Sequence, residues 1–192
     1  LIPPKAWAWR RRRGATVAQV ATRVLCVLPF AADFYASVGA DVEFIGHPLR
    51  DTIDALSLPP REDARRALGL SEGGPLLGLL PGSRTREVSS LLPPMLDGLD
   101  VARTMLGPVH GAVALSASAS DATVGRVTEM TAGRDVHIVR GRTYEAIRAS
   151  DAVLAASGTV TLECALVGTP MVIAYKLSST TYRIVRRVVR VD

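Results

Sequence analysis

Two short turns in this sequence combine small residues with a charged side chain, as a phosphate-binding turn requires. The first, residues 81–84, reads Pro-Gly-Ser-Arg and follows an apolar run. Gly82 allows close backbone approach, Ser83 can cap a helix that we expect to begin at Glu87, and Arg84 can contact an anion through two N–H groups. The N–H groups at the helix start would attract the same anion. A plain capping box, with Ser83 as the cap and Arg84 in solvent, fits the spacing as well.

The second turn, residues 156–159, reads Ala-Ser-Gly-Thr and precedes another expected helix. Ser157, Gly158 and Thr159 leave its backbone accessible, and Glu163 follows Thr159 by one turn on the same side of the helix. A carboxylate at that position can accept hydrogen bonds from both hydroxyls of a ribose while the helix start holds phosphates. The alternative is a tight turn followed by a glutamate that the helix dipole favours.

Apolar runs of strand length alternate with amphipathic segments of helix length, which predicts an α/β fold with a doubly wound, Rossmann-like parallel sheet. We expect strands at residues 24–28, 42–45, 76–80, 109–115, 136–139, 152–155 and 171–175. We expect helices at residues 15–22, 32–38, 61–68, 87–105, 121–132, 143–149, 160–167 and 180–189. Because ligands bind beyond the carboxyl ends of parallel strands, the two turns would border one cleft.

The alternation of strands and helices is interrupted after the second expected strand. Residues 46–48 read Gly-His-Pro, and the pair Pro59 and Pro60 follows soon after. We therefore expect residues 1–47 to be the tail of a first domain, since two strands are too few for an independent sheet. Residues 48–177 would form the nucleotide-binding domain, and residues 178–192 a truncated, basic amphipathic helix. On this interpretation the sequence is a piece of a longer protein.

Composition and the distribution of charge argue against a nucleic-acid-binding protein. The chain has 192 residues, of which 48% are hydrophobic and 21% charged, as in folded globular proteins. Its net charge of +5 is concentrated in residues 1–13 and 178–192, while the part between them is net acidic. Aromatic residues make up only 5%, so a basic nucleic-acid-binding face is not expected. Basic ends suit an anionic membrane surface or a phosphate-bearing ligand better.

The sequence lacks the motifs of metal sites, of P-loops and of dinucleotide-binding turns. Cys26 and Cys164 have no metal-binding spacing, and no cluster of histidines and carboxylates has it either, so we expect neither a metal nor a cofactor. A P-loop and a dinucleotide-binding GxGxxG turn are missing as well. An arginine and a helix start that hold a diphosphate fit sugar-nucleotide chemistry, because they would also stabilise the departing diphosphate.

Six runs in this order resemble the lipid-A-disaccharide synthase family: PKAWAWR at 4–10, VLPF at 27–30, FIGHP at 44–48, LLPGSR at 79–84, ASGT at 156–159 followed by Glu163, and PMV at 170–172. The resemblance covers nearly the whole chain. It implies a two-domain glycosyltransferase of the GT-B architecture that inverts the anomeric centre and needs no metal.

The family resemblance also implies a reaction. The enzyme would transfer 2,3-diacylglucosamine from UDP-2,3-diacylglucosamine to 2,3-diacylglucosamine 1-phosphate (lipid X). The products would be the β-1,6-linked lipid A disaccharide 1-phosphate and UDP, in lipid A and lipopolysaccharide biosynthesis. The resemblance places such an enzyme on the cytoplasmic face of the inner membrane as a peripheral protein, without a nucleic-acid partner.

Carried onto this sequence, the resemblance assigns the UDP-sugar site to Gly82, Ser83, Arg84, Val139, Gly141, Ser157, Gly158, Thr159 and Glu163. Arg84 would stabilise the leaving diphosphate, and the chain from Val139 to Gly141 would pass the uracil. The family's proposed general base is a carboxylate of the first domain that this sequence does not contain, and family members continue into an asparagine-containing segment. We therefore expect the chain alone to bind donor poorly and to be inactive.

Two other function classes fit parts of the pattern. A UDP-N-acetylglucosamine epimerase has the same architecture and also ionises the C1–O bond to UDP, but it would not prefer an acylated sugar. A non-enzymatic basic module for membranes or nucleic acid would bind with a steep salt dependence and would ignore free UDP.

Overall fold

The computed structural model describes residues 3, 4, 6, 11–70 and 73–176. Its helices are α1 Arg11–Val20, α2 Pro29–Ser37, α3 Pro48–Ala55, α4 Arg61–Leu68, α5 Thr85–Leu106, α6 Asp121–Thr131, α7 Thr143–Ala149 and α8 Thr159–Val167. Its strands are β1 Val24–Cys26, β2 Val42–Phe44, β3 Leu76–Leu80, β4 His110–Leu115, β5 Val136–Arg140, β6 Ala152–Ala156 and β7 Met171–Ala174. No helix in the described part of the chain is both long and apolar enough to cross a membrane.

The chain divides into two compact units, Leu1–Ala55 and Leu56–Asp192. In the first unit, β1 and β2 pair in parallel, with Val24 opposite Val42. The small core beside them includes Cys26 and Tyr35, both fully buried, and the Tyr35 hydroxyl donates to the Pro4 carbonyl at 2.7 Å.

The second unit contains a five-stranded parallel sheet in the order β5-β4-β3-β6-β7. The chain moves outward from β3 through β4 to β5 and then returns to place β6 on the other side of β3. Helices α5 and α6 pack together, as do α4, α7 and α8. The order reverses between β3 and β6, and in doubly wound sheets this switch point is where a ligand crevice forms. The predicted α/β, Rossmann-like fold class is confirmed.

The core explains why the central strands are apolar throughout. Strand β3 reads Leu-Leu-Gly-Leu-Leu, as expected of a parallel strand covered on both faces. Leu79 is fully buried with Leu92 and Leu99 from α5 and Val113 from β4.

A buried arginine connects the amino-terminal ends of β3 and β6, at the end of the sheet away from the two turns. Arg65 on α4 donates to the Ala149 carbonyl at 2.8 Å and to the Asp151 carboxylate at 2.6 Å. That carboxylate also accepts from the Leu76 N–H at 2.8 Å. Burial raises the pKa of Asp151, but the Leu76 N–H and the Arg65 guanidinium lower it by more, so it lies below its usual value. These bonds fix the starts of β3 and β6 relative to each other, and with them the positions of the turns at their far ends.

All seven expected strands are present, with ends within two residues of the predicted ones. The prediction missed α3, because Pro48 was interpreted as a breaker, although proline is favoured in the first turn of a helix. The same preference starts α2 at Pro29, three residues before its predicted start. The compact units divide after Ala55, so α3 belongs to the first of them, whereas the sequence placed a domain boundary after residue 47. The predicted helix at 180–189, the basic segment 178–192 and residues 7–10 lie outside the described residues.

Candidate functional site

A cleft of about 450 Å³ opens beyond the carboxyl ends of β3 and β6, where the strand order reverses. It brings together seven of the nine residues that the sequence assigned to a ligand site, namely Gly82, Ser83, Arg84, Ser157, Gly158, Thr159 and Glu163. The two turns therefore face one space, because β3 and β6 are hydrogen-bonded neighbours.

The first turn is closed by a carboxylate from its own helix. Helix α5 begins at Thr85 with Arg84 as its N-cap residue. The Glu87 carboxylate accepts from the Arg84 backbone N–H at 3.3 Å and from the Arg84 guanidinium at 2.7 Å. The prediction that Ser83 caps this helix is wrong. A carboxylate reaches back to the N–H three residues before it, and that residue is Arg84.

The charge on Glu87 is stabilised by these contacts. The hydrogen bond from the Arg84 side chain, more than any other contact, lowers the pKa of Glu87 below its ordinary value. The Arg84 side chain is 79% exposed, so this ion pair contributes at most about 1 kcal/mol. The guanidinium can therefore turn towards an anion in the cleft at little cost.

Gly82 is required by this arrangement. Its φ is +108°, a conformation that residues with a side chain rarely adopt. A Cβ at this position would also lie 2.6 Å from an oxygen of the Glu87 carboxylate. The backbone conformation and the nearby Glu87 carboxylate therefore explain why residue 82 is a glycine.

The second turn leaves its helix end open. Gly158 is the N-cap residue of α8, and no described side chain caps that helix or places a negative charge in its first turn. Its φ of 170° is ordinary extended backbone, and a Cβ built there would meet no described atom within 4 Å. Nothing in the described part of the chain explains why residue 158 is a glycine. Its open face, beside the uncapped N–H groups at the positive end of α8, can receive an anion.

Glu163 lies on α8 one turn beyond Thr159, and both residues line the cleft. The Tyr144 hydroxyl, from the first turn of α7, donates to Glu163 Oε1 at 3.2 Å. Burial, and then the negative charge of Glu163, raise the pKa of Tyr144, so the phenol is a neutral donor at neutral pH.

Val139 and Gly141 do not line the cleft. Val139 is buried in β5, which lies at the edge of the sheet beyond β4. Gly141 has φ +77° and donates its N–H to the Leu115 carbonyl at 2.9 Å, so it forms the turn that ends the strand. The contact of these two residues with a uracil remains a prediction.

Sequence reasoning missed several cleft residues, namely Ser116, Thr143 and Tyr144, and treated Glu87 only as a helix-start residue. Ser116 directly follows β4, and Thr143 begins the helix after β5. A usable signal was present, since every polar residue just after a parallel strand lies at the ligand-binding edge of the sheet.

The arrangement suits a ligand that carries both phosphate and hydroxyl groups. An open helix end and a movable guanidinium offer donors to phosphate oxygens, and a tyrosine-bound carboxylate offers acceptors to hydroxyls.

A family model and the curated relatives of this chain point to the same family. The family model described as Lipid-A-disaccharide synthetase matches residues 1–192. Curated proteins named lipid-A-disaccharide synthase are similar to the chain: one from Geobacter sulfurreducens is 37% identical over all of it, one from Syntrophus aciditrophicus is 38% identical over all of it, and one from Pseudomonas entomophila is 42% identical over 98% of it. In each case the chain spans about half of the relative's length, 49%.

Proposed function

Because the chain belongs to the lipid-A-disaccharide synthetase family, we propose that its second unit is the donor-nucleotide-binding part of an inverting glycosyltransferase. The donor would be UDP-2,3-diacylglucosamine and the acceptor 2,3-diacylglucosamine 1-phosphate. The observation that carries the assignment of the site is the open N-terminus of α8. There, a Cβ at Gly158 would meet no described atom, and Gly158 lines the same cleft as Arg84 and Glu163.

In this proposal the diphosphate lies on the N–H groups at the start of α8, with the Arg84 guanidinium turned onto it. Glu163 accepts hydrogen bonds from the ribose hydroxyls. Ser83 and Ser157 lie within the same turns and would border the diphosphate. Contact of the uracil with Val139 and Gly141 requires the ligand to extend beyond the cleft.

The chemistry follows from those positions. The acceptor's 6-hydroxyl attacks the anomeric carbon as the C1–O bond to UDP breaks on the opposite face, which inverts the configuration. Negative charge then develops on the departing diphosphate, where the α8 dipole and Arg84 stabilise it. The hydroxyl proton passes to a general base, which we place in the first domain of the whole protein.

The acyl chains of both substrates also suggest where the protein works. A donor and an acceptor with two acyl chains each reside in a membrane, so the enzyme would act at the cytoplasmic face of the inner membrane. The arginines at residues 10–13 and within 178–192 supply the positive charge that an anionic surface attracts. The family match adds no support to an epimerase or to a non-enzymatic module.

UDP binding by the whole chain tests the proposal, measured by an NMR titration that detects weak complexes. We expect UDP to shift the amide signals of Gly158 and Thr159, the diacylated UDP-sugar to bind more tightly than UDP, and NAD to leave these signals unchanged. Arg84→Ala should weaken UDP binding roughly fivefold, because a charge-assisted contact to phosphate is lost.

Arg126→Ala is the matched control for that substitution. Arg126 is an exposed arginine on α6 that does not line the cleft, so its loss changes net charge equally and should leave UDP affinity unchanged. Equal losses in both variants would mean that only overall charge attracts the nucleotide. A folded chain whose α8 signals ignore UDP would overturn the site.

A further inference from the structure

One contact in the cleft joins two elements that are distant in sequence. Tyr144 in the first turn of α7 donates its hydroxyl to Glu163 Oε1 at 3.2 Å, across the packed pair of helices α7 and α8. Both side chains are partly buried and both line the cleft. The bond therefore lies at the site, where a ligand that reaches Glu163 would meet it.

The two cleft carboxylates differ in their partners. The Glu87 carboxylate is bound by the cationic Arg84, whereas Glu163 forms no ion pair with any described residue. A neutral phenol occupies one acceptor position on Oε1, and no described residue occupies the acceptor positions of Oε2. A guanidinium would bind both oxygens and leave less for a ligand.

From this contact we infer that Tyr144 is a positioning residue. It holds the Glu163 carboxylate so that its free acceptors meet the hydroxyl pair of a nucleoside diphosphate's ribose. The inference rests on the proposed function and extends it. A glutamate has three side-chain torsions, and a carboxylate already fixed by one bond loses less freedom when the ribose binds. Tyr144 should therefore strengthen the preference for a ribose over a sugar without these hydroxyls.

The test compares UDP with 2′,3′-dideoxy-UDP, titrated by NMR into the whole chain. We expect the parent chain to bind UDP about tenfold more tightly than the dideoxy analogue, because hydrogen bonds to a carboxylate depend on both hydroxyls. Tyr144→Phe keeps the ring and removes the donor. It should lower this preference about threefold, by weakening UDP binding while leaving the affinity for the dideoxy analogue unchanged.

Three further variants isolate the contact. Glu163→Gln should lower the preference at least as far, and adding Tyr144→Phe to it should lower it no further, because the two residues act through one bond. Tyr175→Phe changes an exposed tyrosine outside the cleft and should match the parent. Thermal unfolding of each variant verifies that the chain is folded.

The outcomes separate the two proposals. A preference in Tyr144→Phe equal to the parent's would overturn the positioning role, and so would an equal loss of affinity for both nucleotides, which would mean that the hydroxyl only maintains packing. A parent chain that binds UDP without any preference would instead contradict the role of Glu163. A parent that does not bind UDP would contradict the proposed site itself, and the role of Tyr144 with it.

Discussion

The two turns at the cleft use similar residues, a glycine and a serine before a helix, yet they leave their helices in opposite states. Helix α5 is closed by its own Glu87, whose carboxylate holds the N–H and the guanidinium of Arg84. Helix α8 begins at Thr159 with Gly158 as its N-cap residue, and no described side chain caps it. Small residues before a helix therefore do not by themselves identify an anion site. What distinguishes the two turns is whether the protein has already occupied the helix end.

The glycines of the two turns differ in the same way as the helix ends. Gly82 is needed by the fold, because of its φ of +108° and the carboxylate beside it. No described contact requires Gly158, since its backbone is ordinary and a Cβ there would meet no described atom within 4 Å. The α8 turn is thus the better candidate for direct phosphate contact, and the α5 turn contributes a side chain, Arg84, rather than its backbone.

The largest effect should come from placing a carboxylate at the open end of α8. Gly158→Asp should cap the helix and stabilise the chain by a few tenths of a kcal/mol. It should also weaken UDP binding by at least about 30-fold, because the new carboxylate occupies the N–H groups and repels the diphosphate. Urea unfolding and the NMR titration measure the two effects.

Gly158→Asn separates capping from charge, because it caps the helix without a negative charge. It should weaken UDP binding by less than Gly158→Asp does. If both variants bound UDP as the parent does, the open helix end would not be where the phosphate lies.

A smaller effect, on stability rather than binding, should follow from a methyl group on each glycine. Gly82→Ala should lower the free energy of unfolding by about 1–2 kcal/mol, because alanine is strained at positive φ. The same substitution should disturb the Glu87 cap, since the new Cβ would lie against its carboxylate. Gly158→Ala should change stability by less than about 0.5 kcal/mol, because extended backbone and open space accept a methyl group. If urea unfolding showed equal losses of free energy in the two variants, the fold would require both glycines to the same degree.

The sequence alone predicted most of the secondary structure, and most of the residues assigned to the site line the cleft. What it did not predict depends largely on contacts between residues that are distant in sequence. Apolar runs of strand length located every described strand, and the helices Arg61–Leu68 and Thr143–Ala149 were predicted to the residue. The strand order was not encoded locally. The uracil contact of Val139 and Gly141 came from the family resemblance and stays a prediction, with β5 at the edge of the sheet. The contact of Tyr144 with Glu163 joins residues 19 positions apart through helix packing, which no spacing rule detects.

The smallest effect concerns the cap that closes α5. The pKa of Glu87 is lowered in the folded chain, chiefly by the Arg84 side chain, so its ionised form stabilises the fold. That contribution is present above the carboxyl's ordinary pKa and is lost as the pH falls through the lowered one. Because the pair is largely exposed, Glu87→Gln should cost less than about 1 kcal/mol at pH 7. The difference between parent and variant in urea unfolding should shrink below pH 4.5. A difference that stayed constant down to pH 3 would mean that the cap acts through its shape and not its charge. The closed state of α5 would then not depend on Arg84, which would leave that guanidinium freer for phosphate than the ion pair suggests.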